Sequence, residues 1–536
     1  MKFFGFKLSN KKLSLILCVI TALSLIPLIL MAINMVPFYD DYGYVKYSIS
    51  FQKEYGPGLV SAVRGALFQA KEQWWAWQGA FSTIFITALS PLGFSDSMYF
   101  VGGLFLILIS VGSSIWMMYL IPRKVFGLSP ASSLCIGLLS SFLIVQKMYY
   151  PMHGFFWYNG GIHYVGMHSF MMIVISCIIC FSEKKGAGYI IAQILITTVF
   201  AAVVGGGNYT TILQGGLTML VLAGYVYAKY RSRVLRLIAP VVAFAFCAWK
   251  NIVAPGNSVR GGYFEDDGLS APIAVLRSFT EGTCKGAEFM DVFTVILLLM
   301  LIPVVWNGLK GSGFKFRFPL IFIVMAYGIY CAGFTPNLYV NGSVGIPRVL
   351  NACKESFHIA VILTVIYVIG WVRKRTESRA ARSMAKENGN KQKTVNKQDT
   401  GNRRKTGRGQ RPDFLTHGYV WFYAACGLLV IGLMVIGHLP FVKSSGLDSK
   451  LKLSKQYYTS FEAVGEIASG EVKTFRDEYN KRIEKIRAAE GGFVLVDGYT
   501  VMPRLLIADD LSDDPAAEPN RFMAEYYGIE GIAIRK

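Results

Sequence analysis

Charge is scarce in this chain. Only 16% of its 536 residues are charged while 53% are apolar, a balance that excludes a soluble globular protein of this length. Acids are the scarcer sign, 33 against 54 basic residues, for a net charge of +21. A small-residue cleavage site is missing before Pro37. The apolar run Leu13 to Val36, preceded by Lys2, Lys7, Lys11 and Lys12, therefore reads as a retained first span and not a secretory signal. No repeat relates the two halves. The nine cysteines fall mostly in apolar runs, and Cys177 and Cys180, though spaced as CxxC, lack the βαβ context of a redox motif. Cys284 and Cys353 fall in loops of one side, which leaves a disulfide between them open. The acids Asp509, Asp510, Asp513 and Asp514 lack the spacing of a calcium loop and read as solvated.

What is present is a polytopic α-helical membrane protein. Apolar stretches fall near 13–36, 97–121, 131–146, 164–182, 189–206, 209–228, 235–253, 292–307, 318–335, 357–372 and 418–437, about eleven spans. With the N-terminus inside, the inward segments carry +24 and the outward segments −3. Every inward segment is basic, so the charge is topological and no nucleic-acid partner is implied. Residues 373–417 hold fourteen Lys or Arg against four acids and almost no apolar anchors, and read as a cytoplasmic linker without a fold. Aromatic interleaving suited to RNA is absent there, and membrane lipid is the expected contact.

The resulting division is a transmembrane module over 1–372, the linker 373–417, a last span at 418–437 and an outward tail over 438–536. In the tail, Phe475 to Ala489 reads as a helix, Phe493 to Asp497 as a buried strand and Ile532 to Ile534 as another, so a small α/β cap is expected. The long first outward loop, 37–96, has helical spacing at Leu59, Val63, Ala66, Leu67 and Ala70, followed by Trp74, Trp75 and Trp77. Gly79 to Leu92 is apolar, but counting it as a span would invert every later loop. It reads as an embedded or re-entrant part of the first one.

Candidate chemistry collects in the outward loops. Asp40 and Asp41 emerge where the first span leaves the membrane, and adjacent carboxylates in that place invite a functional reading, the bland alternative being a hydrated helix terminus or N-cap. An isolated Asp near pKa ~3.9 is a weak base, whereas a partly dehydrated pair holds protons more tightly and titrates as a unit. Either could be the base. Arg260 and Arg348, set on glycine- or proline-defined turns, are the candidate phosphate ligands, with Lys285 as a third. Tyr42, Trp77, His153, Trp157, Tyr158, Asn159, His163 and Asn257 are candidate sugar or lipid contacts, an interfacial aromatic belt being the alternative. No metal ligand set is named and the metal requirement stays open.

The segments Pro37-Phe-Tyr-Asp-Asp-Tyr42, Trp77-Gln-Gly79, Phe156-Trp-Tyr-Asn-Gly160, Pro255-Gly-Asn257 with Arg260, and Tyr526-Tyr-Gly528, on this architecture, resemble the GT-C superfamily of integral-membrane glycosyltransferases and a bacterial multi-spanning family of that type. The resemblance implies a GT-C-like fold in the plasma membrane. It also implies a catalytic aspartate at Asp40 or Asp41, a polyprenyl-phosphate-linked sugar as donor, and an envelope glycan, lipid or protein as acceptor. A transporter or flippase of lipid-linked glycans, or an envelope polysaccharide polymerase or ligase, is the alternative. Against the transporter stand the missing repeat and spans read as poor in ionisable residues.

Overall fold

The computed structural model describes residues 9–181, 185–263, 268–395, 419–436 and 458–535. Each of the eleven apolar stretches lies on a helix. The first, α1 (Asn10–Ile33), starts at Ser9, whose side chain accepts from the Lys12 amide, and exposes Leu15, Val19, Leu23, Ile26 and Leu30 where lipid would lie. The first loop then folds as α2 (Asp41–Tyr44), α3 (Lys46–Tyr55), α4 (Leu59–Ala76) and α5 (Phe81–Ala88). At eight residues α5 rises about 12 Å, far short of a hydrocarbon core of about 30 Å, so 79–92 does not span.

The bundle continues with α6 (Phe100–Leu120), α7 (Pro130–Gln146), α8 (Tyr158–Gly161), α9 (Met167–Cys180), α10 (Ala187–Gly205), α11 (Tyr209–Tyr230) and α12 (Ile238–Ile252). After the short α13 (Gly256–Gly261) come α14 (Ala271–Phe289), α15 (Val292–Gly308), α16 (Pro319–Ala332), α17 (Thr335–Asn341), α18 (Pro347–Val395) and α19 (Tyr419–Ile436). Small residues let these helices close on one another: a Cβ at Gly205 would sit 2.4 Å from the Phe244 carbonyl, and one at Gly137 2.8 Å from that of Ile115.

By length and apolar character, seven of the described helices can cross a membrane, or eight if α14 and α15, bent by 84° at their junction, form one span. The difference from eleven has identifiable sources. Residues 209–252 run on as one 44-residue helical segment holding two of the stretches, and α7 is short at 17 residues. The chain is a multi-pass membrane protein.

The linker expectation fails over part of its length. Residues 373–395 are not an unfolded linker but continue α18, because a helix already anchored in the bundle propagates without a fresh nucleus. Arg373–Glu377 (2.9 Å) supports it at i,i+4, and Lys374 donates to the Ser312 carbonyl at 2.7 Å. Residues 396–418 lie outside the described residues.

The molecule has two chemically different ends. Asn10 donates to Ser132 (2.7 Å), Ser312 to the Phe126 carbonyl (2.6 Å) and Arg236 to the Phe181 carbonyl (2.9 Å). With Lys374 on Ser312, these contacts gather the basic segments at one end. At the other lie Asp40, Asp41, the first loop and the C-terminal module. That module has helices Thr459–Ala468, Glu471–Ala488 and Glu518–Tyr527 against two parallel strands, β1 (Phe493–Val496) and β2 (Gly531–Ile534), in the register Phe493 to Gly531. Val472, Phe475, Tyr479, Ile483 and Ile486 form one buried helical stripe, which packs on Val494, Val496 and Ile532.

Candidate active site at the mouth of the first span

Beyond α1 the chain turns sharply. Tyr39 takes a left-handed φ of 56°, which for a non-glycine residue costs of order 1–3 kcal/mol and persists only where surrounding structure holds it. The turn sends the two carboxylates into different environments. Asp41 is 2% exposed. Its Oδ2 accepts the Tyr99 hydroxyl at 2.5 Å and the Phe38 amide at 3.1 Å, and its Oδ1 accepts the Asn159 amide at 3.4 Å. Burial pushes its pKa up to about 7, with those hydrogen bonds and the Asp40 charge as lesser influences. Asp41 is thus saturated with donors and joins the first loop, α6 and α8.

Asp40 is only partly buried and receives one side-chain hydrogen bond, from Asn159 Nδ2 at 3.2 Å. Burial raises its pKa, the Arg348 guanidinium opposes that rise, and Glu518 of the C-terminal module adds to it. A carboxylate with an open flank, a raised pKa and a cation close by can accept a proton from a bound hydroxyl.

Arg348 opens α18 and lies 5.3 Å over the Trp157 ring, with no ion pair or hydrogen bond among the described residues. Arg260, on α13, lies 5.7 Å over Trp77 and donates to Gln78 Oε1. Both arginines reach Tyr44: burial and the Asp40 charge push that hydroxyl's pKa up, while Arg260 and Arg348 pull it down. The two arginines come from positions roughly 200 and 300 residues beyond Asp40 in sequence.

The quoted motifs interlock around this point. Asn257 accepts the Gly79 amide at 2.8 Å and donates to the Asn251 carbonyl at 2.7 Å. A Cβ at Gly79 would lie 1.9 Å from Asn251 O, and one at Gly256 2.6 Å from the Trp77 amide. Only glycine fits at both positions, and the close backbone crossing seats Arg260. Tyr42 packs on Tyr526 at 5.0 Å and Tyr527 at 6.1 Å, while Tyr527 donates to Asp96 at 3.2 Å and Arg487 pairs with the same carboxylate at 2.5 Å. The C-terminal module is fastened there to the first loop.

These contacts correct several assignments. Tyr42 packs its ring on Tyr526 and Tyr527, and Asn257 spends its side chain on the backbone crossing, so both hold the fold of the site together. Lys285 pairs with Glu288 of its own helix at 2.8 Å and approaches Tyr149, and neither contact belongs to the Asp40 cluster. Tyr158 is buried against Gly102 and donates its amide to Tyr99 at 3.0 Å, so it forms a wall. Asn159, His163, Trp77, His153 and Trp157 do gather near the carboxylates or arginines. His163 Nδ1 is 2.9 Å from the Asn159 carbonyl, and its ring is 6.2 Å from Tyr44. Cys284 is exposed, Cys353 is buried, and both are free.

Sequence reasoning missed Tyr44, Tyr99 and Gln78, all of which pass for interfacial residues beside an apolar run. It also missed ionisable groups inside the bundle. His168 Nδ1 meets Glu355 Oε2 at 2.6 Å and its Nε2 meets Ser356 at 2.9 Å, while Lys147 pairs with Asp291 at 2.8 Å, all of them buried. Among the described residues no group of three or more His, Cys, Asp or Glu could hold a metal ion, and Asp510 is engaged by Arg482 at 2.6 Å. A separate cleft between the first loop and the C-terminal module is lined by Phe38, Tyr39, Tyr42, Tyr479, Tyr499 and Asp509, without Asp40 or the two arginines.

No protein-family model and no curated protein matches the chain. Among solved structures, ArnT from Cupriavidus metallidurans is similar in its apo state, at 12% identity over 96% of this chain and 85% of ArnT. It is similar also in the form bound to undecaprenyl phosphate, at 14% identity over 96% and 89%. The TM-score is 0.39 in both cases, a distant likeness, and the reading of the site rests on its own residues.

Proposed function

We propose that this chain is an inverting glycosyltransferase of the GT-C type. It moves a sugar from a polyprenyl-phosphate donor to an envelope glycan, lipid or protein on the outer face of the membrane. The observation that supports this most is the approach of Asp40, held by Asn159 at 3.2 Å, and Arg348, which lies 5.3 Å over the Trp157 ring that adjoins Tyr39 at 6.4 Å. On the outer side nucleotide donors are absent, so a lipid must carry the sugar. Asp40 takes the proton of the acceptor hydroxyl as that oxygen attacks the anomeric carbon. The bond from that carbon to the phosphate oxygen breaks, and the lipid phosphate leaves with its charge stabilised by the guanidinium groups. Asp41 positions Asp40 through Asn159, which touches both. The resident groups include no assigned cofactor, and a divalent metal stays outside the assignment.

One observation favours the alternative of a transporter or flippase of lipid-linked glycans: the buried His168–Glu355 pair, since ionisable groups inside a membrane bundle commonly mark transport paths. The two readings separate in cells with and without the gene. A transferase defect strands its lipid-linked sugar on the outer leaflet and removes one envelope sugar. Stranding on the inner leaflet would replace the transferase by the flippase. A polysaccharide polymerase or ligase would shorten or detach a chain instead of removing a single residue.

A further inference from the structure

We infer that the indole N–H of Trp157 and the imidazole of His153, together with the Arg348 guanidinium, form the seat for the phosphate oxygens of a lipid-linked phosphodiester. This rests on the glycosyl-transfer reading and deepens it by naming which groups hold the donor's phosphate. Trp157 is 4% exposed, and its Nε1 is buried without a hydrogen-bond partner among the described residues. The Nδ1 of His153 is buried and unpartnered in the same sense. The two rings are 4.9 Å apart, and Arg348 stands 5.3 Å over the indole.

A buried N–H without an acceptor is costly, so the Trp157 indole needs an oxygen that the described protein does not supply, and the unpartnered His153 nitrogen lies beside it. Indole is a donor only, which makes the missing partner an acceptor. Burial, aided by Arg348, pulls the His153 pKa down to about 4, so near neutrality the ring offers a neutral donor and adds no charge. One guanidinium with two neutral donors suits the single negative charge of a phosphodiester. The place is rigid. Trp157 follows a π-helical turn, Met152–Phe156, and a Cβ at Gly160 would come 2.5 Å from the indole. The Trp157 ring touches Phe38 (5.5 Å) and Tyr39 (6.4 Å), one residue before Asp40, which keeps phosphate and base on the same side of the loop.

The test uses the full chain in lipid nanodiscs, with the methyl diester of farnesyl phosphate as probe and farnesol as the phosphate-free control, titrated by calorimetry. Wild type is expected to prefer the phosphate. Trp157→Phe keeps the ring and loses the N–H, and should weaken binding of the diester roughly five- to tenfold while leaving farnesol binding unchanged. His153→Leu should weaken it similarly, and His153→Gln, which restores an N–H, should recover part of the loss. Should Trp157→Phe unfold, the His153 pair decides alone. Phosphate binding unaffected in these variants but lost in Arg348→Gln overturns the seat and leaves the transferase reading standing. Wild type that fails to distinguish phosphate from alcohol overturns both.

Discussion

Two neighbouring aspartates with the same side chain sit in different surroundings, Asp41 buried under donors and Asp40 only partly buried. Asp41 is buried under three donors, so its raised pKa belongs to stability. A carboxyl whose folded pKa of about 7 exceeds its unfolded value of 3.8 contributes stability that is fully present below pH 3.8 and lost as pH rises through 7. Asp41→Asn removes that pH dependence. It also turns an amide N–H toward one of the donors Tyr99, Phe38 or Asn159, for a loss of roughly 1–3 kcal/mol. Thermal melts across pH 4 to 8 check both effects. On the proposed reading, Asp40 is the base. As a base it must be deprotonated, so turnover falls as pH drops through its raised pKa. Because Arg348 holds that pKa down, Arg348→Gln should move the acidic limb of the kcat/KM profile to higher pH, independently of any loss of donor affinity. An unmoved limb would separate Arg348 from Asp40. The pair itself was legible in the sequence as adjacent carboxylates at a membrane mouth. Its division of labour was not, because Tyr99 and Asn159 reach it from positions 58 and 118 residues away from Asp41.

At the scale of elements, the short motifs matter mainly as places where backbones cross. Trp77-Gln-Gly79 and Pro255-Gly-Asn257 were visible as sequence, and their mutual packing explains why each contains a glycine. Gly79→Ala puts a methyl group into the Asn251 carbonyl, so α12 and the start of α5 must part and Arg260 loses its seat. The expected result is a folded protein with sharply reduced transfer and a raised donor KM. Unchanged kinetics would show that Arg260 needs no such clasp. The intramolecular contacts of Tyr42 and Asn257 were not legible, since an aromatic or amide side chain in a loop looks the same whether it meets a sugar or another part of the chain. The basic run beyond α18 did mislead, as composition alone hid the support an anchored helix gives to its own extension.

Over the whole molecule, the apolar stretches and the asymmetry of charge could be read directly, and the structure gathers the basic segments at the end opposite Asp40. What composition could not convey was that residues 458–535 return to the first loop and roof it. That roof has its own pH dependence. Burial, with the charge of Glu462, pushes Glu466 up to about 8 from 4.5, so its contribution to stability is full below pH 4.5 and lost as pH rises through 8. Glu466→Gln keeps an acceptor for the Leu505 amide, which Glu466 now accepts at 3.2 Å. The variant should melt several degrees above wild type at pH 8.5 and level with it at pH 4.5.

The proposed base is a single carboxylate, and sugar transfer from a radiolabelled polyprenyl-phosphate sugar by the purified full chain, wild type against Asp40→Asn at equal melting temperature, isolates its role. Transfer to an envelope extract that falls at least a hundredfold in Asp40→Asn, with the labelled lipid still bound, is the predicted result. Transfer that continues at the wild-type rate in that variant would contradict it.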